Sequence, residues 1–103
     1  MHIQPNDRIL LLSIPDAELV RELAARAAMG LVVALGEDDS VRAARGVHRE
    51  LENVMFLPAS VEDIPWQGGY FSLIVDFGGE RGAAQQAEIA RLLAPGGRVE
   101  TAR

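Results

Sequence analysis

With 103 residues, 49% of them apolar, the chain has room for one small globular domain with a single core and on the order of 5–10 kcal/mol of stability. Its formal net charge of −5 argues against non-specific binding to nucleic acid or to an anionic membrane, because phosphates and anionic head groups repel such a surface. There is no cysteine, which excludes a disulfide framework, a thiolate nucleophile and a Cys-type zinc site, and all ten basic residues are arginine, which excludes a P-loop lysine, a Schiff-base lysine and the lysine of a phosphorylated receiver domain.

The N-terminus lacks a basic start followed by a long apolar core, and no apolar run approaches the roughly 20 residues that span a bilayer, so a soluble, cytoplasmic domain is expected. The continuous apolar run Ile9 to Leu12 predicts a strand buried on both faces, and Ser13 to Asp16 offers a helix N-cap with an acid three residues on. Val20, Leu23, Ala24, Ala27 and Ala28 recur at helical spacing between Ala17 and Met29; Glu22 and Arg26 form an i, i+4 pair, and Gly30 supplies the stop. Leu31 to Leu35 predicts a second buried strand. Asp38, Asp39 or Ser40 then caps a shorter helix, Val41 to Arg45, ended by Gly46.

Val54 to Leu57 is a third apolar run. Pro65 and the pair Gly68, Gly69 forbid regular structure from Glu62 to Gly69, before a fourth strand from Phe71 to Phe77. Ala83 to Leu93 is helical with Ala87, Ile89, Ala90 and Leu93 facing inward; Pro95, Gly96 and Gly97 end it, and Arg98 to Ala102 begins a fifth extended segment. Strands alternating with helices predict an α/β fold with a mainly parallel sheet and right-handed crossovers, all in one domain over 1–103.

Three segments sharpen this. ENVMFLPASVEDIPWQGGYFSLIVDF, from Glu52 to Phe77, resembles the stretch of class I S-adenosylmethionine-dependent methyltransferases that holds strand three, a loop with an acidic, acidic, apolar, Pro step, and the Phe, Asp, apolar opening of strand four. EIARLLAPGGRV, from Glu88 to Val99, is similar to the family's helix, L-x-P-G-G turn and fifth strand, and VVALGEDDSVRAAR, from Val32 to Arg45, falls in the matching order. The resemblance implies a Rossmann-like three-layer sandwich around a five-stranded sheet of order 3-2-1-4-5, in a truncated form of the methyltransferase fold.

It also shows where the family's cofactor contacts are lost. The family carries an acid and a Gly-x-Gly-x-Gly turn after strand one, where missing Cβ atoms let the backbone approach the ligand. Here Leu11 stands at the position of the acid, and Ser13, Pro15 and Ala17 replace the glycines. An acid at the end of strand two holds the ribose hydroxyls in the family. Gly36 aligns with it, and Glu37, one residue on, is the substitute if the strand ends a step later. Ser60 replaces the aspartate that accepts from the adenine amino group, and Ser72 replaces the acid that opens strand four. What the resemblance leaves of the pocket is Ser13, Glu37, Ser60 and the adjacent Val61. Losing two or three charge-assisted hydrogen bonds removes roughly 4–6 kcal/mol. A micromolar site then falls to about millimolar or weaker, so no bound cofactor is expected.

Other candidate chemistry is sparse. His2 and His48 are read as exposed, solvated side chains with no ligand spacing between them, and no metal site is expected. Trp66 and Tyr70 bracket Gly68 and Gly69 in a loop that in the family lies beside the cofactor, and are read as packing over the end of the sheet. Asp76 invites comparison with a receiver phosphoacceptor but lacks the acidic pair and the lysine, and Gly78 and Gly79 bring no nucleophile or base, so no catalytic residues are assigned.

Family members usually have a helix before strand one and a helix and two strands after strand five, so about a third of the fold is expected to be missing. Helices after strands one and two should cover one sheet face, leaving only the Ala83 to Leu93 helix for the other. Part of that second face and the fifth-strand edge should then be bare, predicting a homodimer or docking on a protein partner there. Three functions follow: a non-catalytic, degenerate methyltransferase-like domain in assembly or regulation; a divergent enzyme using S-adenosylmethionine in a site completed by an oligomer or a larger chain; or a small nucleotide or metabolite binding module.

Overall fold

The computed structural model describes residues 1–102. Chain order is β1 (Arg8–Leu11), α1 (Ala17–Arg26), β2 (Leu31–Gly36), α2 (Asp38–Val47), β3 (Val54–Pro58), β4 (Phe71–Asp76), α3 (Ala83–Leu92) and β5 (Leu93–Thr101). All neighbouring strands pair in parallel, in the order β3-β2-β1-β4-β5, as the resemblance implies.

Register explains why the central strands read as unbroken apolar runs. Val33, Leu10 and Ile74 sit side by side on one face, Val32, Ile9 and Leu73 on the other, and all six are fully buried. The first core packs Val20 and Leu23 of α1, Ala27 at its C-cap, and Val41 and Ala44 of α2 against Ile9, Leu11, Val32, Ala34, Leu73 and Val75. The second packs Ile89 and Leu92 of α3 against Leu10, Val33, Leu35 and Ile74.

Ile64 completes this second core, with Trp66, Tyr70 and Val61 packed against it. The second face is therefore not bare: Leu10, Val33 and Ile74 are fully buried because the irregular segment between β3 and β4 runs back across the sheet as a cover. Its fastening is polar. Glu88 of α3 accepts from the Ile64 N–H at 2.7 Å, and Arg91 donates to the Ile64 and Trp66 carbonyls, each at 2.9 Å, while bonding Glu88. On β5, the last strand described, Val99 is 45% exposed.

Element ends differ from the sequence reading in instructive ways. Asp16, not Ser13, caps α1, accepting from the Leu19 N–H at 2.8 Å. The helix closes at Ala27, and Asn53 donates to the Ala24 and Ala27 carbonyls at its end. Gly30 is no left-handed stop; a Cβ there would lie 1.9 Å from the Asp7 carbonyl oxygen, so it permits the close approach of two backbones. α2 begins after Glu37 and runs through Gly46 to Val47, longer than predicted. Between β4 and β5, the step from Phe71 to Leu73 faces the step from Leu93 to Arg98, so the Pro95, Gly96, Gly97 turn is extruded from a strand that continues past it.

Candidate functional site

In an open α/β sheet, ligands bind beyond the carboxyl ends of the strands. Here the ends of β2 and β3 enclose a cleft of about 510 Å³, lined by Leu12, Leu35, Gly36, Glu37, Asp38 and the segment Pro58 to Val61. Three of the four sequence-derived candidates, Glu37, Ser60 and Val61, meet there. The fourth, Ser13, is exposed and lies outside the lining.

Each of these side chains has a local reason for its position. Glu37 is the N-cap residue of α2, but its exposed carboxylate makes no capping bond. Ser60 opens the cover segment: its hydroxyl oxygen accepts from the Glu62 N–H at 3.1 Å, and its backbone forms an isolated bridge with Asp63. Part of its accepting capacity is spent in its own turn. Val61 packs into the second core. Glu37 and Asp38 make the rim anionic, which disfavours a phosphate.

The turn from β1 to α1 is filled from within. A Cβ at Gly36 would lie 2.7 Å from the Ile14 Cδ1 and 3.5 Å from the Val41 Cγ2, so the side chain of Ile14 occupies the space beside the end of β2. A side chain at that position would require the far end of Ile14 to move aside. Pro15 has no N–H to donate, and Ala17 is already the first residue of α1. With no acid at Gly36 and with Ser13, Pro15 and Ala17 in the turn, these residues do not fit the ribose end of the cofactor that the resemblance implies, whose binding relies on an acid at the end of strand two and an open glycine turn.

At the end of β4, Asp76 accepts from two nitrogens of Arg81, at 2.8 and 3.2 Å, and from the Gly78 N–H at 3.1 Å. The Arg81 hydrogen bonds, helped by that N–H and by charge, hold the Asp76 carboxyl below the usual range against the opposing effect of burial. A bidentate pair of this kind orders the loop and leaves the carboxylate committed. Sequence reasoning missed Arg81; its signal was an arginine five positions after the acid across a Gly-Gly turn whose glycines have φ of +111° and +96°.

Ser72, read as a lost acid, works at the opposite end of the sheet. It accepts from the Arg8 N–H at 2.9 Å and donates to the buried Asp7 at 2.8 Å, so the carboxylate there comes from the segment before β1. Trp66 and Tyr70 also lie toward that end, against Phe71, with centroid separations of 5.5 and 5.0 Å. They are packing residues, away from the cleft. His48 is not a solvated loop residue: it caps α2, is 5% exposed and stacks on Phe56 at 5.6 Å, because the end of α2 folds back onto the β3 edge. Among the described residues no group of three or more His, Asp or Glu side chains is arranged to hold a metal, and no helix is long and apolar enough to cross a membrane.

No protein-family model and no curated protein sequence matches the chain. Solved structures do. A SAM-dependent methyltransferase from Aquifex aeolicus is similar over 90% of this chain and 53% of its own, with 18% identity and a TM-score of 0.79. A geranyl diphosphate methyltransferase in complex with SAM is similar over 96% of this chain and 42% of its own, with 18% identity and a TM-score of 0.80. A structure of a Haloferax volcanii methyltransferase in complex with a methyltransferase activator is similar over 96% of this chain and 46% of its own, with 22% identity and a TM-score of 0.79. The fold is that of the class I methyltransferases, and the chain spans about half the length of the structures it matches.

Proposed function

We propose that this chain is a methyltransferase-fold domain that has given up S-adenosylmethionine and acts in assembly or regulation through protein contacts. The observation that carries this reading is Ile14, whose side chain fills the space beside Gly36 where the fold's ribose-binding acid would stand. Pro15 and the locally committed Ser60 add to it. The similarity to a methyltransferase captured with an activator suits a domain that works against a partner. A cytoplasmic location goes with a domain that has no cysteine to oxidise.

Isothermal calorimetry of the 103-residue chain with S-adenosylmethionine tests the loss. No binding tighter than about 100 μM is expected, because two or three missing charge-assisted hydrogen bonds remove roughly 4–6 kcal/mol. A tighter dissociation constant refutes it.

One observation favours a second reading. The cleft of about 510 Å³ still opens beside Glu37 and Ser60, as a divergent methyltransferase would need if an oligomer or a longer chain completed its site. Such an enzyme binds S-adenosylmethionine in the completed assembly, so calorimetry on the oligomeric fraction separates the two.

A further inference from the structure

We propose that the hollow between the end of α2 and the start of β3 binds a small phosphate monoester with an apolar body. It lies at the opposite end of both elements from the cleft, which takes Glu37 and Asp38 from the start of α2 and Pro58 from the end of β3. The two sites are separate, so this binding goes beyond the reading of the chain as an assembly domain.

The hollow has a volume of about 250 Å³. Arg45, His48 and Arg49 form its polar side, Leu51, Val54 and Phe56 its apolar side, and none of the lining residues is acidic. In a chain with a net charge of −5, that is a local reversal of sign. Arg26, Arg42, Arg81, Arg91 and Arg98 each pair with a carboxylate, whereas among the described residues Arg45 and Arg49 pair with none. The C-terminal end of α2 opposes an anion with roughly half a negative charge, which two guanidiniums outweigh several-fold.

Local structure brings these groups together. Arg45 lies in the last turn of α2, His48 is its C-cap, and Arg49 follows. The Arg45 Nη2 donates to the Phe56 carbonyl at 2.9 Å, which holds the guanidinium at the rim and leaves its remaining N–H groups for an acceptor. His48 is 5% exposed and stacks on Phe56, yet its Nδ1 is buried without a hydrogen-bond partner among the described residues. Buried polar groups are normally paired. An unpaired imidazole nitrogen in the wall of an arginine-lined hollow points to a ligand oxygen as the missing partner, and no bond at Nδ1 commits the ring to one tautomer.

The donors select the head group. Two guanidiniums and an imidazole line one space, and a phosphate monoester brings three acceptor oxygens and close to two negative charges, where a carboxylate brings two oxygens and one charge. Leu51, Val54 and Phe56 suit an apolar group on the ester. A peptide strand does not suit this edge. The Val32 N–H bonds the Asn53 carbonyl, so Val54, Phe56 and Pro58 turn their backbone groups outward. Of these, the Phe56 carbonyl is taken by Arg45 and Pro58 has no N–H, so the ladder for an added strand is broken.

Isothermal calorimetry of the 103-residue chain with phenyl phosphate at about pH 7.5, where the head carries almost two charges, tests the site. Saturable one-to-one binding is expected with a Kd of about 1 mM or tighter. Inorganic phosphate lacks the apolar group and benzoate the second charge, so each should bind about tenfold more weakly or worse. Arg45→Ala and Arg49→Ala should each weaken phenyl phosphate by about tenfold or more. Arg21→Ala, at an exposed arginine of α1, should leave binding unchanged. His48→Phe keeps a ring on Phe56 and removes both nitrogens, so it should weaken binding while circular dichroism shows the fold retained. Arg49 is exposed, and Arg49→Ala keeps the test decisive if another variant folds poorly. No saturable binding, arginine variants that bind like the parent, an equal loss in Arg21→Ala, or benzoate or inorganic phosphate bound as tightly as phenyl phosphate overturns the proposal. Calorimetry with S-adenosylmethionine reads the cleft instead, so failure of either reading is told apart from failure of the other.

Discussion

Gly36 and Gly30 both stand where a Cβ would collide, but the obstacles differ. At Gly36 it is the far end of the Ile14 side chain, 2.7 Å away; at Gly30 it is the Asp7 carbonyl oxygen, 1.9 Å away. A side-chain end can rotate aside, whereas the Asp7 carbonyl is fixed by the bond it accepts from the Leu31 N–H. Gly36→Ala should therefore cost about 1–3 kcal/mol of overpacking, and Gly30→Ala should cost more than Gly36→Ala. Urea denaturation gives the ranking, and the reverse order would mean that Ile14 is held more rigidly than the backbone. If Ile14 is the obstacle, Ile14→Ala should recover part of the Gly36→Ala loss, with a coupling of roughly 0.5 kcal/mol or more in a double-mutant cycle. Additive effects would remove the physical basis for reading Gly36 as a spacer for Ile14.

Among the elements, the segment from Ala59 to Tyr70 does the work of a helix without being one. It closes the second face and is fastened to α3 by Glu88, whose carboxyl is held down to about 2, first by Arg91 and then by the Ile64 N–H. Because this folded value lies below the ordinary 4.5, the contribution of the ionised group is complete above about pH 4.5 and is lost as the pH falls through about 2. Stability measured by denaturation should decline across that window, and Glu88→Gln should flatten that part of the profile while lowering stability at neutral pH. A variant with an unchanged acid profile would show that the fastening contributes nothing. This is also the element least legible in the sequence. The strands declared themselves as unbroken apolar runs, and the sheet order came from the resemblance. A cover built from Ile64, Trp66 and Tyr70 has no period to read, so its reach across the sheet could not be counted and the second face looked bare. Arg81 and Arg91 were illegible for a related reason: their partners are a carboxylate beyond a turn and carbonyls on another element. At the candidate site, the resemblance named Glu37, Ser60 and Val61, which meet in the cleft, and Ser13, which does not, but it could not show that Ile14 lies across Gly36.

For the molecule as a whole, the decisive fact is that both cores share the same strands. Ile9 and Leu11 face one, Leu10 and Leu12 the other, and neither face can be stripped without exposing apolar side chains of β1 and its neighbours. A domain of 103 residues built this way should unfold in one cooperative step. Trp66 is the sole tryptophan and sits on the second face, so its fluorescence reports the cover while far-UV circular dichroism reports the helices on both faces. The two probes should give the same midpoint and the same slope in urea. Glu88→Gln should shift both midpoints together, because the polar fastening stabilises a cover that belongs to the common core. A tryptophan transition that precedes the loss of helix would instead make the Ala59 to Tyr70 segment a separately opening unit. The second sheet face would then be available to a partner after all, through opening of the cover.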